Sequence, residues 1–234
     1  MKRDWGAPAD TAMMTIVHDA LRRDLRQLQV HLAAEPPADR RPALAEHITW
    51  LMRFLRAHHS GEDSGLYPAL RAANPAAGPL VDAMDVEHQA IHPPMEALEA
   101  LAPQWGRSGS SQDRRALLAS LDELAETLLP HLAREEAEAM PLVSASLTQR
   151  QWHDWDQRYN IAPKSLSVLA EEGNWLLDGL EGQRRRTVLD QVPLLPRLVV
   201  LYVFGPRYRR HAAARWGGRA STPASRAGGN RTSR

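Results

Sequence analysis

The stretch LAEHITWLMRFLRAHHSGE, residues 44–62, decides the fold. Its apolar residues return at Leu44, Ile48, Leu51 and Leu55, steps of four and three that keep to one face of a 3.6-residue helix. The same steps then land on His58 and Glu62. An imidazole and a carboxylate thus extend an apolar seam, a place charged side chains seldom occupy. Three other segments behave alike. The first carries Met14, His18, Leu21, Leu25 and Leu28 inward, and the third Val81, Met84, His88, then Ile91 with His92, then Met95 and Leu98. The fourth runs Leu117, Leu121, Leu124, Leu128, His131 and Glu135. Glu136 lies about 140° around the helix from His131, so Glu135 is read as the inward carboxylate.

Spacing by itself carries little, because His31 with Glu35 and His92 with Glu96 also stand four apart. His31 precedes Pro36-Pro37 and reads as part of a solvated pair. The seam residues differ in combining inward phase with a contribution from each of four helices and with pairing of both carboxylates to histidine. Burying such a set without a cation costs several kcal/mol per ion, and a metal removes that cost. The chain has no cysteine, which excludes thiolate zinc sites and iron–sulfur clusters. Imidazole with carboxylate suits iron, zinc, manganese or nickel. No Glu-x-x-His occurs in the sequence, against the ferritin type of dinuclear site.

The ordered set His18, His58-x-x-x-Glu62, His88-x-x-x-His92 and His131-x-x-x-Glu135, with the runs HHSGEDSGLYPAL (58–70) and EHQAIH (87–92), resembles the hemerythrin-like (HHE cation-binding) domains over about residues 10–147. The resemblance implies an all-α, antiparallel four-helix bundle around two non-heme irons. It places His88, His92 and His131 on one iron, His18 and His58 on the other, and Glu62 and Glu135 as bridges. Two octahedral metals so held, with one bridging oxygen, retain one open position, on the iron with two histidines. That vacancy suits binding or sensing of dioxygen or nitric oxide. Peroxide or nitric oxide turnover by an oxidoreductase, or simple iron storage, are the alternatives. The sequence departs from the pattern of the oxygen-carrying members in two ways: the last carboxylate is Glu135 rather than an aspartate one residue later, and Pro93-Pro94 follows His92 directly. Proline disfavours a helical conformation in the residue before it, which makes His92 the first ligand to be lost. His59 stands about 100° from His58 and reads as a neighbour of the site or as solvated, with ligation as the alternative; Tyr67 reads as a core aromatic, with lining of the pocket as the alternative.

Hydrophobic content of 43% and aromatic content of 6% fit a helical chain with a sizeable core. Helices are expected near 10–34, 39–72, 79–102 and 112–146, then a helical extension over 148–216 and a disordered basic tail over 217–234. The overall charge of +1 hides a polarised molecule: residues 181–234 hold twelve arginines against Glu181 and Asp190, so residues 1–180 are net −9. The apolar run VPLLPRLVVLYVFG (192–205) is too short to span a bilayer. Flanked by arginines, it suits an anionic membrane surface or docking on an acidic helical surface of its own or another subunit; no nucleic-acid motif accompanies it, and no nucleic acid is expected. Without cysteine or an apolar leader-like run, a cytoplasmic location is expected.

Overall fold

The computed structural model describes residues 4–191 and 197–217; most of the basic tail and the start of the apolar run lie outside them. The described residues form no strand, only one isolated bridge between Pro8 and Thr148. No described helix is long and apolar enough to cross a membrane.

Four long helical stretches supply the core. They begin with α1 (Ala12–Ala33), α2 (Arg41–Gly61), α4 (Gly78–Ser108) and α5 (Ser111–Arg134). The seam leucines read from the sequence, among them Leu21, Leu28, Leu44, Leu51, Leu98, Leu117 and Leu124, are all 0% exposed and share one cluster. Helix α4 continues through Pro93, Pro94 and Pro103, beyond the end near residue 102 that the sequence led us to expect. Burial of Pro94, Met95, Ala102 and Trp105 outweighs the lost backbone donors, a case of tertiary packing overriding local preference. The helix stops at Gly109, whose φ of +60° closes the last turn with its N–H on the Trp105 carbonyl. Ser110 then caps α5 by accepting from the Asp113 N–H at 3.0 Å.

The second and fourth stretches each contain a π-helical turn, Glu62–Leu66 and Glu135–Ala139, leading into α3 (Tyr67–Ala73) and α6 (Met140–Ser146). Each turn starts on a seam glutamate. Its wider winding brings residue i+5 onto the face of residue i, so Tyr67 follows Glu62 inward and Met140 follows Glu135. Both are buried.

The remaining chain wraps around this core. Helix α7 (Gln149–Asp156), opened by a Thr148/Gln151 capping box, and the turn 157–161 lie against the first π-turn. There Trp155 Nε1 donates to the Gly61 carbonyl at 2.8 Å and the Tyr159 hydroxyl to the Ser64 carbonyl at 2.9 Å. Gly65 permits this approach, because a Cβ there would stand 2.7 Å from Trp155 Cδ1. Helices α8 (Leu166–Leu177), α9 (Gly182–Asp190) and α10 (Gly205–Trp216) follow. They bury Trp175, Leu177, Val188, Arg215 and Trp216. Of the apolar run, Val200 turns inward whereas Leu198, Tyr202 and Val203 are exposed.

Candidate metal centre

Helices α1, α2, α4 and α5 bring His18, His58, Glu62, His88, His131 and Glu135 to one buried point, each at most 7% exposed. Their inner atoms crowd together. His58 Nε2 stands 3.4 Å from His18 Nε2, and His88 Nε2 3.1 Å from His131 Nε2. Glu62 spans the two pairs, with Oε1 at 3.1 Å from His58 Nε2 and Oε2 at 3.7 Å from His88 Nε2. Glu135 Oε2 does the same from the opposite wall, at 3.3 Å from His18 Nε2 and 3.8 Å from His131 Nε2. Ligand atoms fall into two groups, each within 4.8 Å: His18, His58 and Glu62, and His59, His88 and His131.

The outer nitrogens are held quite differently. His18 Nδ1 pairs with Glu136 at 2.8 Å, His88 Nδ1 with Asp63 at 2.7 Å and His131 Nδ1 with Glu87 at 2.9 Å. Arg22 and Arg134 in turn hold Glu136 and Glu87, both at 2.7 Å. A carboxylate on Nδ1 fixes the tautomer that leaves Nε2 unprotonated and inward, which is how histidines are oriented toward metals.

The centre does not satisfy itself. Both oxygens of Glu62 and Oε2 of Glu135 have no hydrogen-bond partner, because the nearby imidazoles approach at ion-pair distance without donor geometry. Fully buried acceptors are almost always bonded, and two adjacent carboxylates repel one another. A divalent cation between them resolves both conflicts, and nitrogen with oxygen donors in this number suits a first-row metal. The residues present therefore fit a metal pair.

Titration follows from the same crowding. Burial and the charges of Glu135 and Asp63 push Glu62 well above the carboxylate range. Burial would also raise Glu135, but the His18 ring beside it holds it down at about 2. His58 is pushed down to about 3 by burial and by His18, and His59 and His131 are lowered chiefly by burial. Burial opposes charge on His18 too, yet Glu135 and Glu136 keep its pKa above the ordinary value. Tyr67 donates to Glu135 Oε1 at 3.1 Å, and burial with the Glu135 charge keeps it a phenol.

Stability of the metal-free protein should thus fall as the pH drops from 6.5 to 5. His31, His47, His58, His59 and His131 have folded pKa values below 6.5, so the unfolded chain takes up more protons there. His18 and Glu62, whose values are raised, act in the opposite sense. The lowered imidazoles outnumber the raised groups, and the net loss is read as a falling urea midpoint. A midpoint that rises with acid over that interval would mean the imidazoles are charged in the folded state.

The sequence places six of its seven ligand candidates at this point and the structure separates the seventh. His92 is half-buried on α4 and belongs to neither group. His59, read as peripheral, is 1% exposed and stacked on His88 with ring centroids 4.0 Å apart. A second seam on α2 signals it: Ala45, Ile48, Met52, Leu55, His59 and Glu62 also step by three and four, and all are buried.

The family described as hemerythrin HHE cation binding domain matches residues 9–143. The chain belongs to that family. The match spans all four histidine-bearing stretches and ends within α6. No curated protein and no solved structure was found to match the chain.

Proposed function

We propose that this HHE domain is an antiparallel four-helix bundle holding two non-heme irons through His18, His58, Glu62, His88, His131 and Glu135, and that it binds or senses dioxygen or nitric oxide. The observation that carries the reading is the set of three buried carboxylate oxygens without a donor, set among imidazoles whose outer nitrogens are already fixed by Glu136, Asp63 and Glu87. A cation completes such an arrangement. When bound, an iron pair supplies redox-active Lewis-acid positions for a small ligand.

The protein's own part is to orient and to exclude. Arg22 and Arg134 hold the outer carboxylates of Glu136 and Glu87 in place. Tyr67 directs its proton at Glu135 Oε1 and so fixes the rotation of that carboxylate. Phe54 lies nearly parallel to the His58 ring at 6.1 Å and meets Trp175 edge-on at 4.6 Å. Apolar walls of this kind keep water from the His18–His58 side.

Iron content and the ultraviolet–visible spectrum test the reading, recorded on the oxidised protein, on the reduced protein and after addition of dioxygen or nitric oxide. About two irons per chain and charge-transfer bands that change reversibly with the gas are expected. Fewer than two irons, or a spectrum indifferent to both gases, overturns it. Continuous consumption of peroxide without a stable adduct would replace binding by oxidoreductase activity at the same residues.

A further inference from the structure

We propose that His59 is a metal ligand, the third imidazole on the side of His88 and His131, in the role that the family pattern gives to His92. The inference rests on the metal-pair reading above and specifies one of its ligands.

Burial and bonding single out His59. Its ring is 1% exposed, yet neither Nδ1 nor Nε2 has a hydrogen-bond partner. His18, His88 and His131 each have an outer nitrogen on a carboxylate. A neutral imidazole always carries one N–H donor and one acceptor nitrogen, and leaving both unpaired away from water is costly. Coordination occupies the acceptor nitrogen and gives the buried ring a purpose that packing alone does not.

Position agrees with this. The His59 ring lies parallel to His88 at 4.0 Å and edge-on to His131 at 5.4 Å. Ligand atoms of all three come within 4.8 Å of one another. Nitrogens sharing one first-row metal stand about 3 to 4 Å apart, given bonds of about 2.1 Å, so a slight closing of the rings seats an ion.

His92 lacks each of these properties. Helix α4 turns Met84, His88, Ile91 and Met95 inward, with Ile91 fully buried in the leucine core, whereas His92 is only half-buried and lies in neither ligand group. The helix continues through Pro93 and Pro94. A histidine on α2 therefore replaces one on α4, and the division of three imidazoles against two is preserved.

Metal stoichiometry and cobalt substitution test the assignment in full-length wild type, His59→Ala and His92→Ala. Wild type tests the metal-pair reading: two metals per chain are required, and fewer than two overturns that reading and this assignment with it. Given two in wild type, His59→Ala is expected to retain about one, or to hold the second at least tenfold more weakly, with a changed cobalt visible spectrum. His92→Ala is expected to keep both and the wild-type spectrum. Loss of a metal in His92→Ala with both kept in His59→Ala overturns the ligand assignment alone, as does wild-type behaviour of both variants. Circular dichroism of each metal-free variant checks that it folds. Added imidazole, which fits the space left in His59→Ala, should restore the second metal, and failure to restore it in a folded variant counts against direct ligation.

Discussion

Glu62→Leu is expected to abolish metal binding and, at the same time, to make the metal-free protein more stable. Glu62 is 0% exposed and its two oxygens face histidines from both groups without a donor to either. As the carboxylate shared by the two groups it is indispensable to a metal pair, and metal content should fall from about two per chain to near zero. Without metal the same side chain is a burden. Burial and the neighbouring Glu135 and Asp63 push its pKa well up, so at neutral pH it is either protonated without a partner or charged against its surroundings. Replacing an unsatisfied buried ion by an apolar side chain of similar size commonly stabilises by about 1–4 kcal/mol. Glu135→Leu should also lose metal but with the opposite effect on the metal-free fold. Glu135 accepts from Tyr67 at 3.1 Å and lies beside His18, so its loss strands the phenol and costs about 1–3 kcal/mol. Paired metal analysis and urea unfolding of the metal-free variants separate the two. Equal destabilisation by both substitutions would show that Glu62 has a partner in the folded protein and is not held for a metal.

The seam leucines and the inward histidines were legible because helical phase alone decides them, and α1, α2, α4 and α5 place His18, His58, His88 and His131 where that phase points. What escaped has identifiable causes. A core-facing stripe more than one residue wide admits two tracks, and following Leu44–Leu51–His58 hides the parallel track Ala45–Met52–His59. The prolines after His92 marked it as the first ligand to be lost, and α4 does continue through them with buried neighbours on either side. The outer carboxylates were illegible for a different reason. Asp63, Glu87 and Glu136 each adjoin an inward ligand in sequence, but each holds a histidine on another helix: His88, His131 and His18. Such cross-helix pairing depends on how helices are seated, which no single periodicity encodes. The π-turns belong to the same class, since the extra residue that aligns Tyr67 with Glu62 leaves no mark in the pattern.

Asp24→Ala should loosen the C-terminal helices without touching the metal centre. Asp24 is 1% exposed on α1 and accepts from His47 Nε2 at 2.7 Å, Trp175 Nε1 at 2.8 Å and Arg23 Nε at 2.7 Å. His47 in turn receives the guanidinium of Arg215, itself 6% exposed on α10. One carboxylate thus anchors α2, α8 and, through His47, α10. Removing it leaves an indole N–H without an acceptor and Arg215 buried opposite an imidazole, a loss of about 3–5 kcal/mol. For a chain of this size the thermal midpoint should fall by about 10 °C, and Trp175 emission should shift to the red as water reaches the ring. Metal per chain should stay at the wild-type value, because neither Asp24 nor His47 belongs to a ligand group. The pH dependence carries a definite sign. Burial would raise the Asp24 pKa, but His47 and Arg23 hold it far below the carboxylate range. Its contribution is therefore complete above the unfolded value of about 3.9 and disappears only as the pH falls through the lower folded value. The gap between wild type and Asp24→Ala should accordingly persist at pH 5, where the metal-site histidines already weaken both proteins, and close only in stronger acid. A gap below about 1 kcal/mol at pH 7 with unshifted tryptophan emission would mean that apolar contacts of Trp175 and Trp216, and not this carboxylate, hold the C-terminal helices on the core.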